Sequence, residues 1–106
     1  MSTELKIIGS NFDSETSKGV TLVDFWAPWC SPCRMQGPII EKVARQLTGK
    51  AKVGKCNVDE EPGLASRFGI RSIPTLIIFH KGKEAARLIG LQPEHILIEK
   101  INALGG

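Results

Sequence analysis

Two cysteines separated by two residues, Cys30 and Cys33, bring together the chemistry this chain is best equipped for, the making and breaking of a disulfide. Residues three apart on a helical turn have Cβ atoms about 5–6 Å apart, and a disulfide needs Cα atoms roughly 4.4–6.8 Å apart. Such a pair at a helix start closes without moving the backbone. The flanking elements must therefore provide a helix start. Val20–Trp26 is short, apolar and rich in β-branched and aromatic residues, which reads as a buried strand that Ala27-Pro28 ends. From Pro32 onward, Ile40, Val43, Ala44 and Leu47 recur at helical spacing, while Arg34, Glu41, Lys42, Arg45 and Gln46 fill the other positions. Gly49 stops that amphipathic helix. Ser31 reads as its N-cap and Pro32 as its first helical residue. Cys30 then stands at the helix mouth, where unpaired amides and the positive end of the dipole favour a thiolate. These placements make Cys30 the attacking sulfur and Cys33, in the first turn and more enclosed, the sulfur that resolves the mixed disulfide.

Other uses of the pair fit less well. Half a zinc site would need two further ligands at a matching spacing, but Cys56, His80 and His95 are isolated in sequence. A permanently closed structural disulfide suits a secreted framework, and three cysteines with two in one motif are not one.

The chain has 106 residues, 42% of them hydrophobic, enough for one domain over residues 1–106 with its own core. Residues 1–6 lack the basic start and apolar stretch of a leader, and no run approaches the ~20 apolar residues of a membrane span, so a soluble cytoplasmic protein is expected. The net charge of +3 comes from 14 basic and 11 acidic residues spread along the chain. Lys50, Lys52 and Lys55 are followed by Asp59, Glu60 and Glu61, an alternation that argues against a nucleic-acid-binding patch. Gly105-Gly106 reads as a frayed end.

Further elements complete the expected fold. Residues 5–8 suggest a first strand, and Ser10 or Asn11 a cap for a brief helix through Thr16. Residues 52–58 suggest a strand, Pro62 the start of a helix with Leu64, Ala65 and Phe68 on its apolar side, and Gly69-Ile70 its stop. Residues 75–79 and 84–89 flank Lys81-Gly82 as a hairpin. Gln92-Pro93 opens a last helix with Leu97, Ile98, Ile101 and Leu104 turned inward. Early strands alternating with helices must pair in parallel, and the hairpin must be antiparallel, giving a mixed sheet with helices on both faces.

Asp24 interrupts the apolar strand and by alternation shares a face with Val20, Leu22 and Trp26, where burial would raise its pKa and let it hold or pass a proton near neutral pH. The plainer alternative is a carboxyl hydrogen-bonded within the core. Trp26 is expected in the core beneath the motif, and Cys56 as a small apolar core residue. Pro38 within the long helix removes a hydrogen bond and should kink it. His80 and His95 are assigned no role.

The run Val23-Asp24-Phe25-Trp26-Ala27-Pro28-Trp29-Cys30-Ser31-Pro32-Cys33-Arg34, then Pro38, Lys55, Asp59, Pro62, Arg71-Ser72-Ile73-Pro74-Thr75, Gly82 and Gly90, resembles the thioredoxin family from end to end. The resemblance implies an α/β thioredoxin fold, a central five-stranded mixed sheet flanked by four helices. It implies a protein dithiol–disulfide oxidoreductase that reduces client proteins through a reversible Cys30–Cys33 disulfide, needs no bound cofactor or metal, and is re-reduced by a separate thioredoxin reductase. It assigns Asp24 to proton transfer with Cys33 and Lys55 to the nearby ammonium. It also makes Pro74 a cis-proline beside the cysteines, and makes Trp29, Ser31, Pro32, Ile73, Pro74, Gly90 and Leu91 the client-binding surface. The family's commonest motif has glycine where this chain has Ser31, whose hydroxyl could cap the helix or donate to the Cys30 thiolate. A monomer that binds neither nucleic acid nor membrane is expected. A redox-independent binding module on the same fold is the alternative of a different class, and an oxidase or isomerase a third.

Overall fold

The computed structural model describes residues 4–105, so residues 1–3 and Gly106, and with them parts of the leader and frayed-end expectations, lie outside it. Among the described residues the chain runs β1 (Leu5–Lys6), α1 (Phe12–Thr16), β2 (Val20–Trp26), α2 (Ser31–Gln46), β3 (Lys52–Asn57), α3 (Pro62–Arg67), β4 (Thr75–His80), β5 (Lys83–Ile89) and α4 (Glu94–Ala103). The strands form one sheet in the order β1-β3-β2-β4-β5. β1 and β2 pair in parallel with β3, while β4 is antiparallel to β2 and β5. This is the five-stranded mixed sheet with four helices that the resemblance implies.

Period-two alternation along β2 sorts its residues between two cores. Val20 and Leu22 join Leu76 and Ile78 under Ile40, Val43, Ala44 and Leu47 of α2 and Leu97 and Ile101 of α4. Val23 and Phe25 join Cys56, Ile77 and Phe79 beneath Phe12 and Leu64. An aromatic cluster holds that second side together, with Phe12 centred 5.0 Å from Phe68 and 5.2 Å from Phe79. The stripe predicted along α2 is thus the buried one. In α4, Leu97 and Ile101 are buried, while Ile98 and Leu104 pack against the core only in part.

Helix and turn ends follow local chemistry. Gly69 ends α3 in a Schellman motif: its amide bonds the Ser66 carbonyl and the Ile70 amide bonds that of Ala65. Lys81 and Gly82 both have positive φ, 53° and 85°, as a two-residue type I′ hairpin requires. Asn11 is the N-cap residue of α1 but makes no capping bond; its side chain reaches back, accepting from the Ile8 amide and donating to the Lys6 carbonyl. That use of the chain beyond Lys6 as a turn is why β1 has two residues and not four. Gly105 is held by a bond from its amide to the Asn102 carbonyl.

Candidate active site

The topology decides what surrounds the cysteines. At the end of β2, Trp26 pairs with Asn57 at the end of parallel β3, and Phe25 pairs with Thr75 at the start of antiparallel β4. Thr75 in turn pairs with Ile89 at the end of β5. The loops after β2, β3 and β5 and the loop before β4 therefore emerge at one end of the sheet. They carry Trp29 and the cysteines, Asp59, Gly90-Leu91 and Ile73-Pro74.

Cys30 and Cys33 form a disulfide with Cα atoms 5.2 Å apart, within the range their spacing predicts. The helix begins one residue earlier than the sequence reading. Cys30, in extended conformation, is itself the N-cap, Ser31 is the first helical residue and Pro32 the second. Cys30 Sγ accepts a 3.2 Å hydrogen bond from the Cys33 amide, so a sulfur occupies the place a serine oxygen was expected to hold. The Ser31 hydroxyl accepts instead from Arg34 Nη2 at 3.2 Å, while Nη1 of the same guanidinium donates to the Pro28 carbonyl at 3.1 Å. Cys30 is more accessible than Cys33, but only at 5% against 1%, so the sulfur expected to be exposed is a narrow opening in an otherwise closed surface.

Apolar side chains frame that opening. Trp29 and Leu91 are exposed, Ile73 and Gly90 half-buried, Ser31 and Pro32 exposed, and Pro74 buried. The Ile73–Pro74 peptide is cis, as the resemblance implies, and Cys30 Sγ lies 3.6 Å from the Ile73 carbonyl oxygen. The Gly90 amide donates to the Pro74 carbonyl at 2.8 Å, joining those two parts of the rim. A groove of about 260 Å³ runs off between Trp29, Ile73, Ile70, Ala65, Pro62 and Arg71. Asp59, not singled out as a site residue from sequence, accepts a 2.9 Å bond from the Trp29 indole and fixes the ring; its adjacency to the motif arises only from the β2–β3 pairing.

Asp24 lies wholly buried on the α2 side of the sheet. Neither carboxylate oxygen has a hydrogen-bond partner among the described residues. Desolvation pushes its pKa up to about 7, against the opposing pull of the Lys55 ammonium and with a smaller push from Glu4. Lys55 is its register partner on β3. The Lys55 ammonium sits 4.4 Å from the centroid of the Trp26 ring and beside Gly37 of α2. Trp26 is therefore half-buried against a cation and not a core residue as expected. With Lys55 it lines a cavity of about 500 Å³ whose wall also includes Glu4, Lys6, Glu41 and Glu60. Cys56 is fully buried in the opposite core, and its thiol is pushed up to about 12, first by desolvation and then by Glu61, Asp24 and Glu60. It takes no part in the site. Among the described residues no group of three or more His, Cys, Asp or Glu side chains converges as a metal site would, and no helix is long and apolar enough to cross a membrane.

A second residue that sequence reasoning missed is Gln36, wholly buried in α2. Its side chain donates to the Gln92 carbonyl at 3.0 Å and accepts from the Gln92 amide at 2.7 Å. The signal was present: Gln36 is four before Ile40 and three after Cys33, in line with the apolar stripe.

Comparison with known proteins agrees with this geometry. The family model for thioredoxin matches residues 4–103. The chain is 46% identical over 97 residues to a thioredoxin of Staphylococcus saprophyticus, covering 92% of this chain and 93% of the other. It is 45% identical over 98 residues to that of Staphylococcus haemolyticus, covering 92% and 94%. Among solved structures, a mutant thioredoxin from Halobacterium salinarum superposes with a TM-score of 0.90 at 39% identity, over all of this chain and 96% of the other. The chain belongs to the thioredoxin family, and with its Cys30–Cys33 pair it is a dithiol–disulfide oxidoreductase.

Proposed function

We propose that Cys30 attacks and Cys33 resolves in the reduction of client protein disulfides. The observation that carries this assignment is the Cys33 amide donating to Cys30 Sγ at the start of a 16-residue helix. A donor aimed at sulfur from a helix N-terminus stabilises the anion more than the thiol. The Cys30 thiolate attacks one client sulfur, forming a mixed disulfide and expelling the other as a thiolate. Asp24 takes the Cys33 proton, relayed through water since no hydrogen bond joins the two residues. The Cys33 thiolate then attacks Cys30 Sγ, and the second client sulfur leaves with the electron pair as the Cys30–Cys33 disulfide closes. A carboxyl poised at about 7 supports this role, and the Lys55 ammonium keeps it from rising further.

Trp29, Ser31, Pro32, Ile73, Pro74, Gly90 and Leu91 are assigned to client contact, supported by their gathering around Cys30 and by the exposed apolar area of Trp29 and Leu91. The protein acts as a monomer in the cytoplasm without a bound cofactor, and a separate thioredoxin reductase restores two electrons, the proton held by Asp24 returning to Cys33. Insulin disulfide reduction tests the assignment. Cys33→Ser should accumulate a covalent mixed disulfide and Cys30→Ser should be inert. The reverse pattern overturns the roles, and full function in the double variant would favour a redox-independent binding module.

A further inference from the structure

The rim beside Cys30 ends in residues 90–92, which leave the sheet at the open edge of β5. Leu91 is 42% exposed, and Gly90 sits at φ +89°. Two sets of bonds fix this lip. The Gly90 amide is tied to the Pro74 carbonyl, and the Gln92 side chain donates to the carbonyls of Ile89 and Gly90 at 3.3 and 3.4 Å. The other set reaches across from the thiol-bearing helix: Gln36 grips both the amide and the carbonyl of Gln92.

A wholly buried side chain at a helix position in line with the apolar stripe is ordinarily aliphatic, since burying an amide costs free energy unless it is hydrogen-bonded. The polar end of Gln36 instead satisfies one donor and one acceptor of a loop backbone 56 residues away. Because Gln36 is one helical turn past Cys33, the clamp sets the distance from the thiols to the lip by a rigid helix segment.

We propose that Gln36 is a positioning residue for client binding, its side-chain amide clamping the Gln92 backbone so that Leu91 and the Gly90 backbone are presented to the client in fixed register with Cys30. This rests on the reading of the Trp29, Ile73, Gly90 and Leu91 surface as the client site. Its consequence is a split in kinetics. Removing the clamp leaves the sulfur chemistry alone and makes the client order the lip as it binds, so affinity falls while the maximal rate holds.

The test is Gln36→Met, which keeps the length of the side chain and removes both bonds. In single-turnover reduction of insulin the half-saturating concentration should rise at least about fivefold, the equivalent of one of the two lost hydrogen bonds at ordinary net strength. The maximal rate, the Cys30–Cys33 potential and the rate with dipyridyl disulfide, too small to span the lip, should be unchanged. An unchanged half-saturating concentration overturns the proposal, and so does a loss of potential or maximal rate. Leu91→Asp separates the two levels: if it weakens insulin binding while Gln36→Met does not, only the clamp fails, and if it has no effect the client surface itself is wrong. Amide exchange in the wild type stands independently of how the variants fold. The Gln92 amide should exchange at least about tenfold more slowly than an unprotected one, and exchange at the unprotected rate rejects the clamp.

Discussion

Replacing Asp24 with asparagine should stabilise the protein progressively as pH rises. In the folded chain the buried carboxyl titrates near 7, whereas its ordinary value is 3.8. Between those values the native state keeps a proton that the unfolded chain has released. Wild-type stability therefore falls as pH climbs through that window, is highest below it, and levels off above it. At about 1.4 kcal/mol per pK unit, holding this group in the core costs roughly 4 kcal/mol of stability at pH 9 and roughly 2 kcal/mol at pH 5. The Asp24→Asn variant has no titrating group there, so its stability relative to wild type should improve by about 2–3 kcal/mol from pH 5 to pH 9. Urea unfolding of the oxidised protein reads this cleanly, because the closed disulfide removes Cys30 and Cys33 from the titration. Lys55→Met should carry the wild-type fall to higher pH, since the Lys55 ammonium is the charge that lowers the Asp24 value. A stability difference between Asp24→Asn and wild type that stays constant from pH 5 to pH 9 would refute the assignment of a proton to Asp24 near neutrality.

Two other sites give sharp expectations. A Cβ on Gly54 would lie 2.5 Å from Ile7 Cγ1 and 3.3 Å from the Leu5 carbonyl, so Gly54→Ala should destabilise by about 1–3 kcal/mol, seen as a lower urea midpoint; an unchanged midpoint would mean that β1 yields freely. Cys56, buried with its thiol held near 12, should resist iodoacetamide in the native reduced protein and react only on unfolding. Native labelling of Cys56 as fast as Cys30, followed by mass spectrometry of the peptides, would contradict that.

The sequence was most legible where one physical effect dominates. Val20–Trp26 was bounded correctly because an apolar β-branched run next to Ala27-Pro28 has one reading. The α2 stripe, the α3 stop and the Lys81-Gly82 turn were equally local. Legibility fails where neighbours compete for one partner or where a contact spans the chain. Serine suits the cap position, but the Cys30 sulfur holds the Cys33 amide and Arg34 engages Ser31. Trp26 looked like a core residue by alternation, but its ring meets a lysine delivered by β3. Asp59 and Gln36 depend on partners 30 and 56 residues away, which no local pattern encodes. The cis Ile73–Pro74 peptide had no local signal either and came through the family resemblance.

The buried polar side chains show where structure gives way to chemistry. Among the described residues, five are wholly or almost wholly buried: Thr16, Thr21, Asp24, Gln36 and Thr75. The three threonines each donate to a backbone carbonyl three to six residues away, which satisfies a hydroxyl and defines a local turn. Gln36 uses the same kind of bond over a long range, which is positional information and not local satisfaction. Asp24 is the exception, with both oxygens unpartnered. An unpaired buried carboxylate would be expelled or replaced if stability alone were selected. In the proposed mechanism its place, two residues before the end of the strand that leads into the cysteine motif, suits a proton that is accepted and released, which a satisfied carboxyl with an ordinary pKa could not do at neutral pH.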